Sequence, residues 1–191
     1  MVQQFDFQKL DLEGSYLIKP FYAADTRGGF IKDYNVEVFK QNGIQHELKE
    51  VFYSISQKGV LRGLHFQLVK QQVKLVRCIT GHVYDVIVDL RPQSPTFGQW
   101  RGFDLTQDNM NMILVPKYFG HGFLAIENSI VSYKCAEVFY SEGDSGIKYN
   151  DGDINVKWPF DLIGGIDNLI MSDKDQNLMS FKDYLKLFEN K

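Results

Sequence analysis

Along most of the chain, apolar and polar residues alternate in short runs broken by glycine and proline. That period belongs to half-buried strands rather than helices. Phe5, Phe7, Leu10 and Leu12, then Tyr16 to Ile18 beyond Glu13-Gly14, predict early strands within 4–19. Asp25 to Asn35 reads as a glycine-containing turn leading into a strand. Asn35 to Gly43 predicts a short helix, with Asn35 as its cap, Val36, Val38 and Phe39 partly buried, and Gly43 as its stop. Further strands are predicted over 48–57, 60–67, 72–79, 82–90, 97–105, 110–115, 120–126 and 130–140. Residues 141–157 read as loop, and Phe181, Tyr184, Leu185 and Phe188 recur at helical spacing in the tail. Many short strands with regular punctuation predict an all-β sandwich or jelly roll with short peripheral helices, in one domain over 1–191.

Composition narrows the function classes. A net charge of −3 leaves no basic footprint for nucleic acid. No apolar run approaches the roughly 18 residues of a membrane span, and the start of the chain carries no secretory signal. Cys78 and Cys135 lie in strand-like runs and suggest neither a disulfide framework nor a metal site. The expectation is a cytoplasmic protein that binds neither nucleic acid nor membrane.

The candidate chemistry lies in Gly59-Val-Leu-Arg-Gly-Leu-His-Phe-Gln67 and its continuation Gln72-Val-Lys-Leu-Val-Arg77. In a strand, Gly63, His65 and Gln67 share one face and Leu64 and Phe66 the other. Gln72, Lys74, Val76 and Cys78 likewise share a face. Two such strands lining one cavity bring His65 to Lys74. A neutral imidazole beside a fixed ammonium can take a proton next to a carbonyl and hold the resulting enolate. His46 and His82 have no such company and read as structural or surface residues, and Arg77 and Arg91 as structural ion-pair formers. A metal-dependent cupin is the rival enzyme class. It needs several His and carboxylate ligands converging on one ion, whereas glutamine follows His65-Phe66 and the chain has 4 His.

Five blocks occur in order: Gly59 to Gln67, Val86 to Arg91 with Ser94 to Gly98, Pro116 through Gly120-His-Gly-Phe123, Tyr133-Lys-Cys135, and Ser172-Asp-Lys-Asp175. Together they resemble the dTDP-4-dehydrorhamnose 3,5-epimerase family of cupin-type nucleotide-sugar epimerases, over about Asp25 to Asp175. The resemblance implies a cupin jelly-roll barrel, a homodimer, no cofactor or metal, and epimerisation of a nucleotide-diphospho-4-keto sugar at carbons flanking its ketone. Inversion at C3 alone is the alternative outcome. Residue by residue, it implies His65 as general base with Asp175 as its carboxylate partner, Lys74 as the cation at the keto oxygen, and Tyr133 as the acid on the opposite face. Asp85 is the runner-up partner for His65. Arg27, Arg62 and His121 match contacts to diphosphate and sugar; Phe30, Gln72, Asp144 and Lys174 complete the expected binding set. Arg62 and His65, three apart, face opposite sides of a flat strand, so a bulge or twist at Gly63 is expected.

Three positions depart from the family pattern: Lys32 replaces a glutamate, and Glu50-Val-Phe52 replaces Gln-x-Asn. Glu50 only accepts hydrogen bonds, which suits the adjacent N1–H and N2–H donors of guanine. Lys32 can donate to guanine O6, and Phe52 can stack on the base. The trio points to a GDP-linked sugar, a heptose of a surface-polysaccharide pathway, with dTDP as the alternative.

Overall fold

The strands follow the predicted alternation, and long-range pairing sorts them into two antiparallel sheets. In the computed structural model, which describes residues 4–188, the first sheet runs in the order β1 (Asp6–Lys9), β2 (Tyr16–Lys19), β10 (Met112–Val115), β7 (Lys74–Thr80), β12 (Ser129–Cys135), β5 (Glu50–Ser56). The second runs β13 (Asp144–Gly146), β6 (Leu61–Gln67), β11 (Phe119–Ala125), β8 (His82–Asp89), β9 (Trp100–Thr106). A separate hairpin, β3 (Phe21–Asp25) with β4 (Gly28–Lys32), pairs only with itself. The helices α1 (Val36–Gln41), α2 (Asp173–Gln176) and α3 (Phe181–Lys186) are short. The all-β jelly roll with peripheral helices is the architecture expected.

Alternation explains the layering. Val76, Cys78, Val131 and Cys135 from the first sheet meet Val83, Ile87, Leu105 and Phe123 from the second in the central core. The opposite face of the second sheet, including Leu64, Phe66, Val86 and Val88, packs on Trp158, Ile163 and Tyr184 of the C-terminal third. Phe39 of α1 covers the outside of the first sheet with Ile18, Leu75 and Met112. Both faces of β8 are thus covered, and from Asp85 to Asp89 every residue of it is buried.

Three local expectations are corrected. Val36 is exposed, and in its helix only Phe39 is buried. The strand predicted over 130–140 stops at Cys135, because side chains take the next backbone donors. Glu137, Glu50 and Gln67 accept from the N–H groups of Val138, Phe139 and Tyr140. The stretch predicted as loop contains β13, which pairs with β6 through Gly146 opposite His65. Short 3₁₀ turns at Phe160–Ile163 and Ile166–Asn168, and the helix α2, lacked any periodic signal.

Candidate active site

A cavity of about 400 Å³ opens between the sheets. His65 enters it from β6 and His121 from β11, while Lys74 on β7 and Tyr133 on β12 enter from the opposing sheet. Glu50, Phe52, Arg62, Gln72 and Asp144 also line it. The expected irregularity at Gly63 is present. The β6–β11 register pairs His121 with His65 but Phe123 with Arg62, so β6 carries one extra residue there. Gly63 has φ +115°, and its hydrogen faces the Gly122 backbone where a Cβ would lie 2.5 Å from Gly122 Cα. This close glycine contact puts Arg62 and His65 on one cavity.

Behind His65 sits Asp175, 5% exposed. His65 Nε2–H donates to its Oδ1 at 2.5 Å. Ser172 caps α2 by accepting from the Asp175 N–H at 3.1 Å, which holds the carboxylate in place. Burial raises the Asp175 pKa. The hydrogen bond and charge of His65, with Ser172 and Lys174, outweigh it and hold the carboxyl below its usual range. A ring nitrogen that donates to a carboxylate leaves Nδ1 as the acceptor. In this tautomer His65 can accept a proton at Nδ1.

Asp85, the runner-up partner, does not meet His65. It lies on β8, beside β11, and its Oδ2 takes the Nε2–H of His121 at 2.9 Å. Its other oxygen is buried without a hydrogen-bond partner among the described residues. Burial lowers the Lys74 pKa from the usual lysine range, against the attraction of Cys135, Asp144 and Asp85. Burial pushes the Tyr133 hydroxyl far above the ordinary tyrosine range and Asp85 adds to it. Arg62 and the Ser54 hydroxyl, close by but itself short of a hydrogen bond, pull the other way. A tyrosine so placed stays protonated, as an acid must before it acts.

Several expected binding residues are already engaged. Arg62 is held at the mouth by the Ser56 hydroxyl at 3.1 Å and the Ile55 carbonyl at 3.3 Å. The Gln72 amide donates to the Glu137 carbonyl at 2.8 Å. Glu50 accepts from the Phe139 N–H at 2.8 Å. Lys174 does not line the cavity; it pairs with Asp144 and so ties α2 to β13 at the rim.

Within one chain the β3–β4 hairpin stands apart from the cavity. Arg27, Phe30 and Lys32 lie outside the cavity, in a shallow concavity of their own. Arg27 pairs with Asp25, and the Lys32 ammonium sits 5.6 Å over the Phe21 ring. With no strand of the sandwich to pair with, β3–β4 cannot bring these side chains inward within one chain. Residues that the sequence did not single out for the site also line the cavity: Ser54, Phe66, Gly122, Phe123 and Phe139. Face alternation in the strands was the available signal for Ser54 and Phe123. Phe139 had none, since it reaches the cavity only because its strand ends early. Among the described residues no three His, Cys, Asp or Glu side chains are grouped to hold a metal ion.

The family model for dTDP-4-dehydrorhamnose 3,5-epimerase matches residues 9–183. The chain belongs to the dTDP-4-dehydrorhamnose 3,5-epimerase family. Among its relatives, the dTDP-4-dehydrorhamnose 3,5-epimerase of Methanothermobacter thermautotrophicus is 44% identical over 175 residues, covering 91% of this chain and 93% of that one. The Bacillus anthracis epimerase, solved with TDP and PPi bound, is 39% identical with a TM-score of 0.87, covering 93% of this chain and 100% of that one. The Legionella pneumophila dTDP-6-deoxy-D-glucose-3,5-epimerase, solved with dTDP-4-keto-L-rhamnose, is 32% identical with a TM-score of 0.88, covering 94% of each chain. The 3,5-epimerase family consists of isomerases, and its cupin-like jelly roll is the fold described above. No helix among the described residues is long and apolar enough to cross a membrane.

Proposed function

We propose that this chain inverts C3 and C5 of a nucleotide-diphospho-4-keto-6-deoxy sugar in the cytoplasm, with no metal or organic cofactor. The observation that carries this reading is the His65–Asp175 pair on one sheet across a cavity from Lys74 and Tyr133 on the other. His65 Nδ1 takes the proton on a carbon flanking the ketone, and Asp175 stabilises the imidazolium. The bond's electrons move to the keto oxygen, where Lys74 holds the enolate. Tyr133 then returns a proton to that carbon from the opposite face. Arg62 and His121, which line the same cavity, are the contacts proposed for the diphosphate and sugar.

The nucleotide of the relatives is dTDP. A second reading, GDP, is favoured by Glu50: one oxygen is held by Phe139, and the other makes no hydrogen bond among the described residues. It would then serve guanine N–H donors in a surface-polysaccharide pathway. Incubation of dTDP- and GDP-linked 4-keto sugars with the enzyme in heavy water, read by NMR and mass spectrometry, tests both. Deuterium at both flanking carbons with inversion is expected. Deuterium at C3 alone would make it a 3-epimerase, and none with either nucleotide would refute the assignment of His65.

Assembly as a homodimer is part of the same proposal. On the edge strand β5, Val51, Tyr53 and Ile55 alternate on one face and are 48%, 60% and 77% exposed. Such an apolar edge suits burial against a second copy. The hairpin would then carry Arg27, Phe30 and Lys32 to the partner's cavity. Co-expressed His65→Ala and Arg27→Ala chains would regain about a quarter of wild-type activity, from the one intact site in each mixed dimer. No gain over either parent would show that the hairpin does not act across the dimer.

A further inference from the structure

Phe52 stands where the family pattern has a small amide, and it does not wait free for a ligand. It is the direct cross-strand partner of Tyr133 in the β5–β12 register. Their rings stack at 4.6 Å between centroids and 11° between planes. On another side, the His121 ring meets Tyr133 edge-on at 6.0 Å and 75°. His121 is itself held by the buried Asp85. Tyr133 is 7% exposed and Phe52 40%, so the phenyl lies on the more open side of the tyrosine. One face of the ring is covered by a phenyl, and an anchored imidazole limits its swing.

We infer that Phe52 is the positioning residue of the acid: its stack on Tyr133 sets how often a proton abstraction ends in inversion. The inference rests on the proposed role of Tyr133. Once His65 holds the substrate proton, the enolate has two fates. Tyr133 can donate O–H to the opposite face, which inverts the carbon and leaves a tyrosinate. Alternatively His65, after exchanging its proton with solvent, can return one to the original face, which labels the carbon without inverting it. In the first case imidazolium and tyrosinate recover their starting forms by proton exchange with solvent, and no oxidant or reductant is needed. The partition depends on the share of time the Tyr133 hydroxyl points at the carbon. An offset aromatic pair contributes enough to bias that share several-fold. Without Phe52, water replaces the phenyl and the ring gains alternative positions on that side.

The test is the ratio of inverted to merely deuterated product in heavy water, with whichever nucleotide sugar the unaltered enzyme turns over. The variants are Phe52→Ala, Phe52→Leu, Phe52→Tyr and Tyr133→Phe. The expected ratio falls about three- to tenfold in Phe52→Ala and Phe52→Leu, stays within about twofold in Phe52→Tyr, and falls furthest in Tyr133→Phe. Phe52→Leu keeps an apolar side chain of more nearly native bulk without the ring, so it still answers if Phe52→Ala folds poorly. An unchanged ratio in Phe52→Leu, with a fall in Tyr133→Phe, would make the stack mere packing and overturn the inference. An unchanged ratio in Tyr133→Phe would instead remove Tyr133 as the acid, and no labelling by the unaltered enzyme would remove the epimerase reading itself.

Discussion

Asp175→Asn isolates the charge behind the proposed base, His65. Asparagine keeps the size of the side chain, which is 6% exposed and takes the His65 N–H at 2.5 Å. In the proposed mechanism His65 takes the substrate proton, and in the variant the imidazolium so formed loses its counter-charge. At ~4 Å between charge centres and an effective dielectric near 20, that attraction amounts to ~4 kcal/mol. The His65 side chain is 30% exposed, and solvent trims this to ~3 kcal/mol. At 1.36 kcal/mol per decade, kcat/KM falls about 10²-fold. The asparagine amide can also donate to Nε2, which moves the ring proton to Nδ1 and removes the base; a reversed tautomer brings the loss toward ~10⁴-fold. The assay is deuterium incorporation at the carbons flanking the ketone, with thermal unfolding alongside. Because the folded Asp175 pKa lies below its unfolded value, its stabilising effect is present above the unfolded pKa and is lost as pH falls through the folded one. The variant therefore also loses part of its acid limb of stability. Incorporation within about fivefold of wild type would refute the assignment of Asp175 as orienting carboxylate.

Lys74→Gln removes the cation proposed to hold the enolate oxygen, and labelling should fall about 10²–10³-fold with little change in Tm. In Gly122→Ala the new Cβ would lie 2.4 Å from the Arg62 carbonyl oxygen; overpacking at this backbone contact costs ~2 kcal/mol, read as a Tm about 4–8 °C lower. For Asp89, burial raises the pKa but Arg91, Ser94 and Thr96 together hold it at about 2. Its contribution, ~2 kcal/mol, is complete above the unfolded carboxylate pKa and disappears as pH falls toward 2. Asp89→Asn should therefore lower stability at pH 7 and flatten its decline between about pH 4 and 2, followed by urea unfolding at each pH.

Sequence alone determined what depends on neighbours along the chain. Alternation within a strand settled that His65 and Gln67 face away from Leu64 and Phe66, and it settled the all-β layering, because side-chain direction in a strand is a local property. It also showed that Arg62 and His65 could share a cavity only if β6 broke its pleat at Gly63. The His65–Asp175 pair, 110 positions apart, was legible only through the resemblance, since no periodicity links such distant residues. Tertiary structure decided which carboxylate meets which imidazole. Asp85 was the runner-up partner for His65 in the sequence, and the adjacency of β8 to β11 gives it to His121 instead. It also decided that Phe52 rests on Tyr133, that Phe139 turns into the cavity, and that the Arg27 hairpin stays outside the cavity of its own chain. Each of these follows from strand order and register, which are set by the joint burial of whole faces rather than by any single segment.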